Sequence, residues 1–292
     1  MNDLVSIIAN GLALAAIYAL VAVGFVIIFK ATRVLNFAHG EFMALGAYFS
    51  YVSITTYSLP FVIGLTVGFL ATSALGVLVF FLLMRPMLGE QLWAPVMVTV
   101  GLGIVLQSII KIKWGAETLL LPVPVDIKGI DLPGTTTRIS NFAIFSIIVA
   151  ILFFIAVALF FRFASIGRQM RAAAENPLLA SYSGVNINKI FAVGWGIAAF
   201  AAALAGVAQA SGTLISAGIG AIALRAFPAA LLGGMDSIIG AAVGAVIIGL
   251  VEMTAAEYLG SGSRDVVAFV VLLVVLMVRP YGLFGSREIE RI

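Results

Sequence analysis

The chain has 292 residues, of which 63% are hydrophobic and 10% charged, and its mean hydropathy is +1.20; an ordinary soluble domain has roughly 45–50% and about 25%. This composition excludes a water-soluble globule. The net charge of +3 and the pI near 9.3 come from basic residues at the ends of apolar runs, the pattern of a positive-inside bias, with no nucleic-acid partner implied.

No Asp, Glu, Lys or Arg occurs in residues 4–29, 42–84, 91–110, 139–161, 190–224 or 266–278. About 20 helical residues cross a hydrocarbon core of about 30 Å. The chain therefore reads as an all-α polytopic membrane protein in a lipid bilayer, a single transmembrane unit over 1–292. Cysteine is absent and His39 is the single histidine, which rules out structural disulfides, thiolate metal sites and a multi-histidine centre.

The first run starts at Leu4 with no basic leader of the kind a cleavable signal peptide carries, so it is expected to stay in the mature protein. Lys30 and Arg33 follow it, which predicts a cytoplasmic end there and an N-terminus outside. Tyr57-Ser58-Leu59-Pro60 divides the second run into spans near 40–58 and 61–84. Arg85 marks another cytoplasmic end, and a span at about 91–110 returns outward.

Two loops of equal length orient the rest. Residues 111–138 carry four basic and three acidic residues with Pro122, Pro124 and Pro133, which suits an irregular or hairpin-like external segment. Residues 162–189 carry four basic residues and one acid, so this loop is cytoplasmic. A span near 139–161 joins them.

Beyond Lys189 a span at about 190–210 goes outward, while Arg279, Arg287 and Arg291 place the tail inside. An inside tail calls for one crossing or three in the stretch after Ser211. Ile238–Met253 is one good helix, and a final span covers about 264–279. The segment 217–235, interrupted by Arg225, Pro228, Gly233 and Gly234, reads as broken or re-entrant. The count is eight full spans plus this discontinuous one. Gly64-xxx-Gly68 and Gly240-xxx-Gly244 set small residues one turn apart, which lets helix backbones approach.

No site for covalent or metal catalysis is visible: HExxH, GxSxG, CxxC and the phosphate loop GxxxxGK[ST] are all missing. If transport is driven by ATP, another chain must hydrolyse it.

Two polar breaks interrupt the apolar pattern. Asn36, Phe37, His39, Gly40 and Glu41 stand at the start of an apolar span. Ionisable groups at membrane depth face a cavity or a partner; the other reading is that Asn36 caps the helix and His39 and Glu41 sit in the headgroup region. Gly233, Gly234 and Asp236 form the second break. Transporters build midplane paths from two interrupted helices, whereas a plain interhelical turn would have the same residues.

The cytoplasmic loop is more explicit. Residues 168–175, with Arg168, Arg171 and Glu175, are strong helix formers, and Asn176-Pro177 stops that helix and starts another. Gly184 can close the second in a left-handed conformation. A short helix over about 177–183 then projects Leu178, Leu179 and Tyr182 from a loop of net charge +3, a knob suited to a groove on a soluble partner. A basic loop resting on anionic lipid accounts for the arginines but needs no paired, capped helices.

Leu35 to Glu41 with Gly46 to Tyr48, Gly167 to Gly184, Ala230 to Ser237 and Arg279 to Gly285 together resemble the permease subunits of branched-chain amino acid ABC importers, within the high-affinity amino acid and amide importer group. Arg168 to Gly184 is similar to the glutamate-alanine-glycine loop by which such permeases dock on their ATPases, although here the alanines precede Glu175. The resemblance implies a bacterial inner-membrane complex of two permease chains, two cytoplasmic ATP-binding subunits and a periplasmic substrate-binding protein. It also implies two halves of inverted topology, with 36–48 and 226–237 as counterparts. The permease would bind no cofactor itself. Its expected passenger is a branched-chain or other small amino acid, with urea or a short amide as the alternative within the family. A self-contained ion-coupled carrier would need several buried coupling groups, and the candidates are only His39, Glu41, Asp236 and Glu252.

Overall fold

A computed structural model describes residues 2–91, 93–115, 117–123, 129–131, 138–260 and 262–285. The readings placed on Pro124, Pro133, Arg287 and Arg291 lie outside the described residues. Among the described residues, nine apolar helices form the bundle: α1 (Asn2–Thr32), α2 (His39–Thr55), α3 (Phe61–Val79), α4 (Trp93–Trp114), α5 (Asn141–Phe163), α8 (Ile187–Gly212), α9 (Ala221–Gly233), α10 (Ile238–Leu259) and α11 (Ser263–Val278). Between α5 and α8 lie two short helices, α6 (Ser165–Glu175) and α7 (Pro177–Tyr182). Helix α3 is continued by a π turn at Phe80–Met84 and a 3-10 turn at Arg85–Met87. In the loop before α5, strands β1 (Ile130–Asp131) and β2 (Arg138–Ile139) pair antiparallel, the hairpin-like element expected there.

Among the described residues, six helices are long and apolar enough to cross a membrane: α1, α3 with its extension, α4, α5, α8 and α10. Helices α1 and α8 are mostly buried inside the protein, whereas α5 turns Ile148, Ile151, Leu152, Ile155 and Leu159 outward. That spacing is one helical stripe, and an exposed all-apolar stripe is a lipid-facing surface.

The packing of the first half recurs in the second. Gly64 and Gly68 of α3 lie against Ile54 and Ser50 of α2, and Gly240 and Gly244 of α10 lie against Gly233 and Ala229 of α9. Gly76 of α3 abuts Trp195 and Ala199 of α8, just as Gly249 of α10 abuts Gly11 and Ala15 of α1. Helices α1 and α8 run antiparallel, since Gly194 sits near Ala31 while Gly24 meets Ala198. An inverted repeat of α1–α3 and α8–α10 follows. At these seams a Cβ would fall 2.2 to 2.9 Å from the facing residue, as at Gly68 and Gly11, so glycine permits the backbone contact that holds helices together where lipid is as apolar as leucine.

Three expectations change. The final span, expected at about 264–279, is the 16-residue α11, which is outside the six helices long enough to cross. Residues 40–58 do not make a full span: α2 has 17 residues and begins below the bundle end, its first residue His39 lying over Gly24 of α1, eight residues or about 12 Å from the end of that helix. The discontinuous segment is broken earlier than Arg225 and Pro228. Helix α9 runs through both, and the unwound part is 213–220, where Ile215 and Leu119 exchange backbone hydrogen bonds of 2.8 and 2.9 Å.

Candidate translocation path and coupling loop

The residues from Asn36 to Glu41 come together where α2 begins. Val34 to Ala38 are non-helical and lie below the bundle end, so their backbone groups need partners from elsewhere. The Asn36 side chain supplies one by accepting from the Ala38 N–H at 3.1 Å. Asn36 is thus a turn residue; the helix cap position is Ala38, and it makes no side-chain cap bond. Thr99 of α4 supplies more. Its hydroxyl oxygen accepts from the Phe37 N–H at 3.2 Å and stands 3.1 Å from the Leu35 carbonyl oxygen.

The opposite wall is the start of α9. A Cβ on Gly40 would lie 2.2 Å from the Gly220 carbonyl oxygen, and one on Gly220 would lie 2.7 Å from the Gly40 carbonyl oxygen and 3.1 Å from Glu41 Oε1. Two interrupted helices therefore meet first turn to first turn, with the Glu41 carboxyl group over the junction. Phe25, His39, Phe37 and Phe227 close it on the α1 side, with ring-centroid distances of 4.7 Å for Phe25–His39 and 6.0 Å for Phe37–Phe227. His39 is wholly buried beneath this aromatic cluster, while Glu41 is half-buried.

Gly233, Gly234 and Asp236 are not part of the junction. They lie at the other end of α9, which at a rise of about 1.5 Å per residue is nearly 20 Å away. Here they make the tight turn into α10: Gly234 has φ +103° and the Ser237 side chain caps α10 by accepting from the Gly240 N–H at 3.0 Å. Lys30 Nζ donates to the Asp236 carbonyl oxygen at 3.3 Å, fixing this turn to the end of α1. The segment 279–285 completes the arrangement. Leu283 N–H donates to the Leu232 carbonyl at 2.8 Å and Phe284 N–H to that of Gly233 at 3.0 Å, so the strap satisfies carbonyls that the last turn of α9 leaves open. The counterpart of 36–41 is thus 216–221, with the break preceding the helix in both halves.

The loop between α5 and α8 forms the expected pair of helices at the same end of the bundle as the α9–α10 turn, since α6 packs on α5 and α8 close to Lys30 and Ala31. Gly167 of α6 sits so close to α5 that a Cβ would lie 2.4 Å from the Phe160 carbonyl oxygen. Arg168 donates to the Phe163 carbonyl at 2.9 Å and Arg171 to that of Phe161, so both arginines clamp α6 to the end of α5 while Glu175 stays exposed. Asn176 caps α7 by accepting from the Leu179 N–H at 3.0 Å, Pro177 opens the helix, and Gly184 follows it with φ +84°. Leu178, Leu179 and Tyr182 are 64%, 61% and 79% exposed on this knob.

Residues 7–277 match the family described as branched-chain amino acid transport system, permease component. The chain belongs to this permease family. It is 31% identical to the high-affinity branched-chain amino acid transport system permease protein BraD of Pseudomonas aeruginosa, over 98% of this chain and 97% of that one. It is 32% identical to the permease protein LivH of Escherichia coli K12, over 97% and 96% of the two chains. An archaeal relative, the probable branched-chain amino acid transport permease protein LivH of Methanocaldococcus jannaschii, is 25% identical over 91% and 88%. Among solved structures, PsaBC from Streptococcus pneumoniae in complex with Fab aligns at 14% identity over 93% of this chain and 91% of that one, with a TM-score of 0.48. As a family member the chain is a multi-pass membrane protein and the permease subunit of an ABC importer; its relatives are transport components, not enzymes.

The sequence did not single out Gly220, Thr99 or Phe227. Thr99 carried the one available signal, a hydroxyl in an apolar helix, although Ser108 of α4 offered the same and bonds only within its own helix.

Proposed function

We propose that this chain, as one transmembrane unit, forms half of the path of an ATP-driven importer for branched-chain or other small amino acids. It binds no cofactor: nucleotide is hydrolysed by two cytoplasmic ATP-binding subunits, a second permease completes the path, and a periplasmic substrate-binding protein delivers the passenger. The chain lies in the bacterial inner, or plasma, membrane with α6–α7, the α9–α10 turn and the C-terminus in the cytoplasm and the N-terminus outside. The excess of basic residues in 162–189 supports this orientation.

The observation that carries the coupling role is α7, a capped helix that holds Leu178, Leu179 and Tyr182 out of the protein while the arginines of α6 clamp its base. Large apolar side chains fixed on a short helix fit a hydrophobic groove. Motion of an ATPase at this knob reaches α9 through α6, α1 and the Lys30–Asp236 contact. The path residues are those of the α2–α9 junction, Asn36 to Glu41 and Gly220, with Gly233, Gly234 and Asp236 at its cytoplasmic exit. The test is reconstitution of the whole complex in vesicles: ATP-dependent leucine uptake that is lost when Leu178 and Leu179 become serine, together with loss of the ATPase from the purified complex. Uptake by the permease chains alone under an ion gradient would replace this reading with a carrier.

A further inference from the structure

Helices α2 and α4 run side by side in the same direction. Before the first residue of α2, a Cβ on Gly103 would lie 3.6 Å from the Ala38 Cα, and further along the Tyr48 and Trp114 rings stack with centroids 4.8 Å apart. Positions seven apart in a helix fall on one face. Two turns before the Tyr48–Trp114 pair, each helix therefore presents its matching residue to the other: Glu41 on α2 and Gln107 on α4. Two polar residues thus face each other beside the α2–α9 junction, in helices that are otherwise apolar.

A third group joins them. Lys111, one turn after Gln107, is exposed and lies close to the end of α4 remote from the coupling loop. A lysine there would ordinarily snorkel to the nearby membrane surface. Instead its ammonium group turns back along the helix and donates to Gln107 Oε1 at 3.0 Å. Its charge also acts on Glu41, yet no ion pair joins the two among the described residues. Glu41 Oε2 is buried without a hydrogen-bond partner among the described residues, and Gln107 has two N–H donors beside the oxygen that Lys111 takes.

We infer that Glu41, Gln107 and Lys111 form a binding site for the zwitterionic head of the passenger, an assignment that rests on the amino-acid import reading above. The passenger's ammonium group sits on the Glu41 carboxylate, and its carboxylate sits on the Lys111 ammonium group and the Gln107 amide. Charges at membrane depth face a partner or a watery cavity. A ligand with one charge of each sign, placed between an acid and a lysine that do not touch, satisfies both at once, and a neutral solute does not. Ile104, 64% exposed, lies on the Lys111 face of α4 two turns earlier and offers apolar surface to an aliphatic side chain.

The test uses the complete complex in proteoliposomes with leucine-loaded binding protein. Glu41→Gln and Lys111→Gln are each expected to lower leucine uptake at least tenfold while the subunits still copurify. A pair that only joined two helices would be harmed by the loss of one charge and relieved by the loss of both. The double variant is therefore expected to be no better than either single one, and its recovery to within twofold of the original overturns the assignment. Uptake by either single variant within twofold of the original also overturns it, as does loss of the second permease from the purified complex, which would make the cluster an interface between permeases. Because the chain has no cysteine, Gln107→Cys gives it a unique thiol and a measurement independent of uptake. A charged methanethiosulfonate reagent is expected to label that thiol, and loaded binding protein to slow the labelling; no labelling, or labelling that the loaded protein leaves unchanged, overturns the inference. If the unaltered complex imports no amino acid, the function reading fails instead, and protection of position 107 by leucine alone still decides the site.

Discussion

Tyr18 of α1 donates a 2.8 Å hydrogen bond to Glu252 of α10, and both side chains are 1% exposed. The bond joins two helices whose glycines already bring their backbones together, at Gly11 and Gly249. A polar pair at such a seam fixes the rotation of one helix against the other, which small residues alone leave loosely specified.

Tyr18→Phe removes the donor and leaves a buried carboxyl oxygen without it, a loss of about 1–3 kcal/mol. The expected result is a lower melting temperature in detergent. In a double-mutant cycle with Glu252→Leu, the two losses should add to more than the loss in the double variant, because each single change already breaks the same bond. Strict additivity would show that the pair is not coupled.

Gly40→Val and Gly220→Val test the junction. Each side chain would collide with a carbonyl oxygen of the other half-helix, and overpacking of this kind costs typically 1–3 kcal/mol. Gly101→Val is the control, since a Cβ there meets nothing within 4 Å. Uptake and thermal stability should fall in the first two variants and hold in the third.

Variants in α7 separate stability from the proposed docking. Leu178→Ser and Leu179→Ser change exposed side chains, so the melting temperature of the isolated permease should stay within about 2 °C, as surface substitutions shift stability by under 0.5 kcal/mol. Retention of the ATPase during purification should drop. Asn176→Ala removes the α7 cap, a loss of about 0.5–2 kcal/mol, and should weaken retention by unwinding the helix that presents both leucines.

Gly282 has φ +79°, and a Cβ would lie 2.6 Å from the Leu231 carbonyl oxygen. Gly282→Ala therefore meets both backbone strain of about 1–2 kcal/mol and a collision. It should release the strap from α9, seen as faster hydrogen exchange at the Leu283 and Phe284 amides, with slower exchange disproving the attachment.

How much of this was legible depended on which interactions were local. The loop between α5 and α8 could be read almost whole, because Asn176, Pro177 and Gly184 act through the backbone within a turn or two of themselves. The apolar helices followed from charge spacing. The junction did not, since Thr213 to Gly220 is unwound yet nearly as apolar as its neighbours, and its backbone bonds run to Leu119, nearly a hundred residues away. Local propensity also overstated Pro228, which costs about 3 kcal/mol in a helix interior. Packing of α9 against α1, α10 and α11 outweighs it. Asp236 drew attention as an acid in an apolar stretch, while the contact of its backbone carbonyl with Lys30, 206 residues away in the chain, could not be read locally.

The confrontation of Gly40 with Gly220 has an electrostatic consequence. Every peptide dipole in α2 and in α9 points its positive end toward this one spot, each helix contributing up to about half an elementary charge. In a medium that screens poorly, the sum offsets the negative charge that an ionised Glu41 carboxyl group, whose Oε1 is 3.1 Å from the position of a Cβ on Gly220, would bring to the same spot.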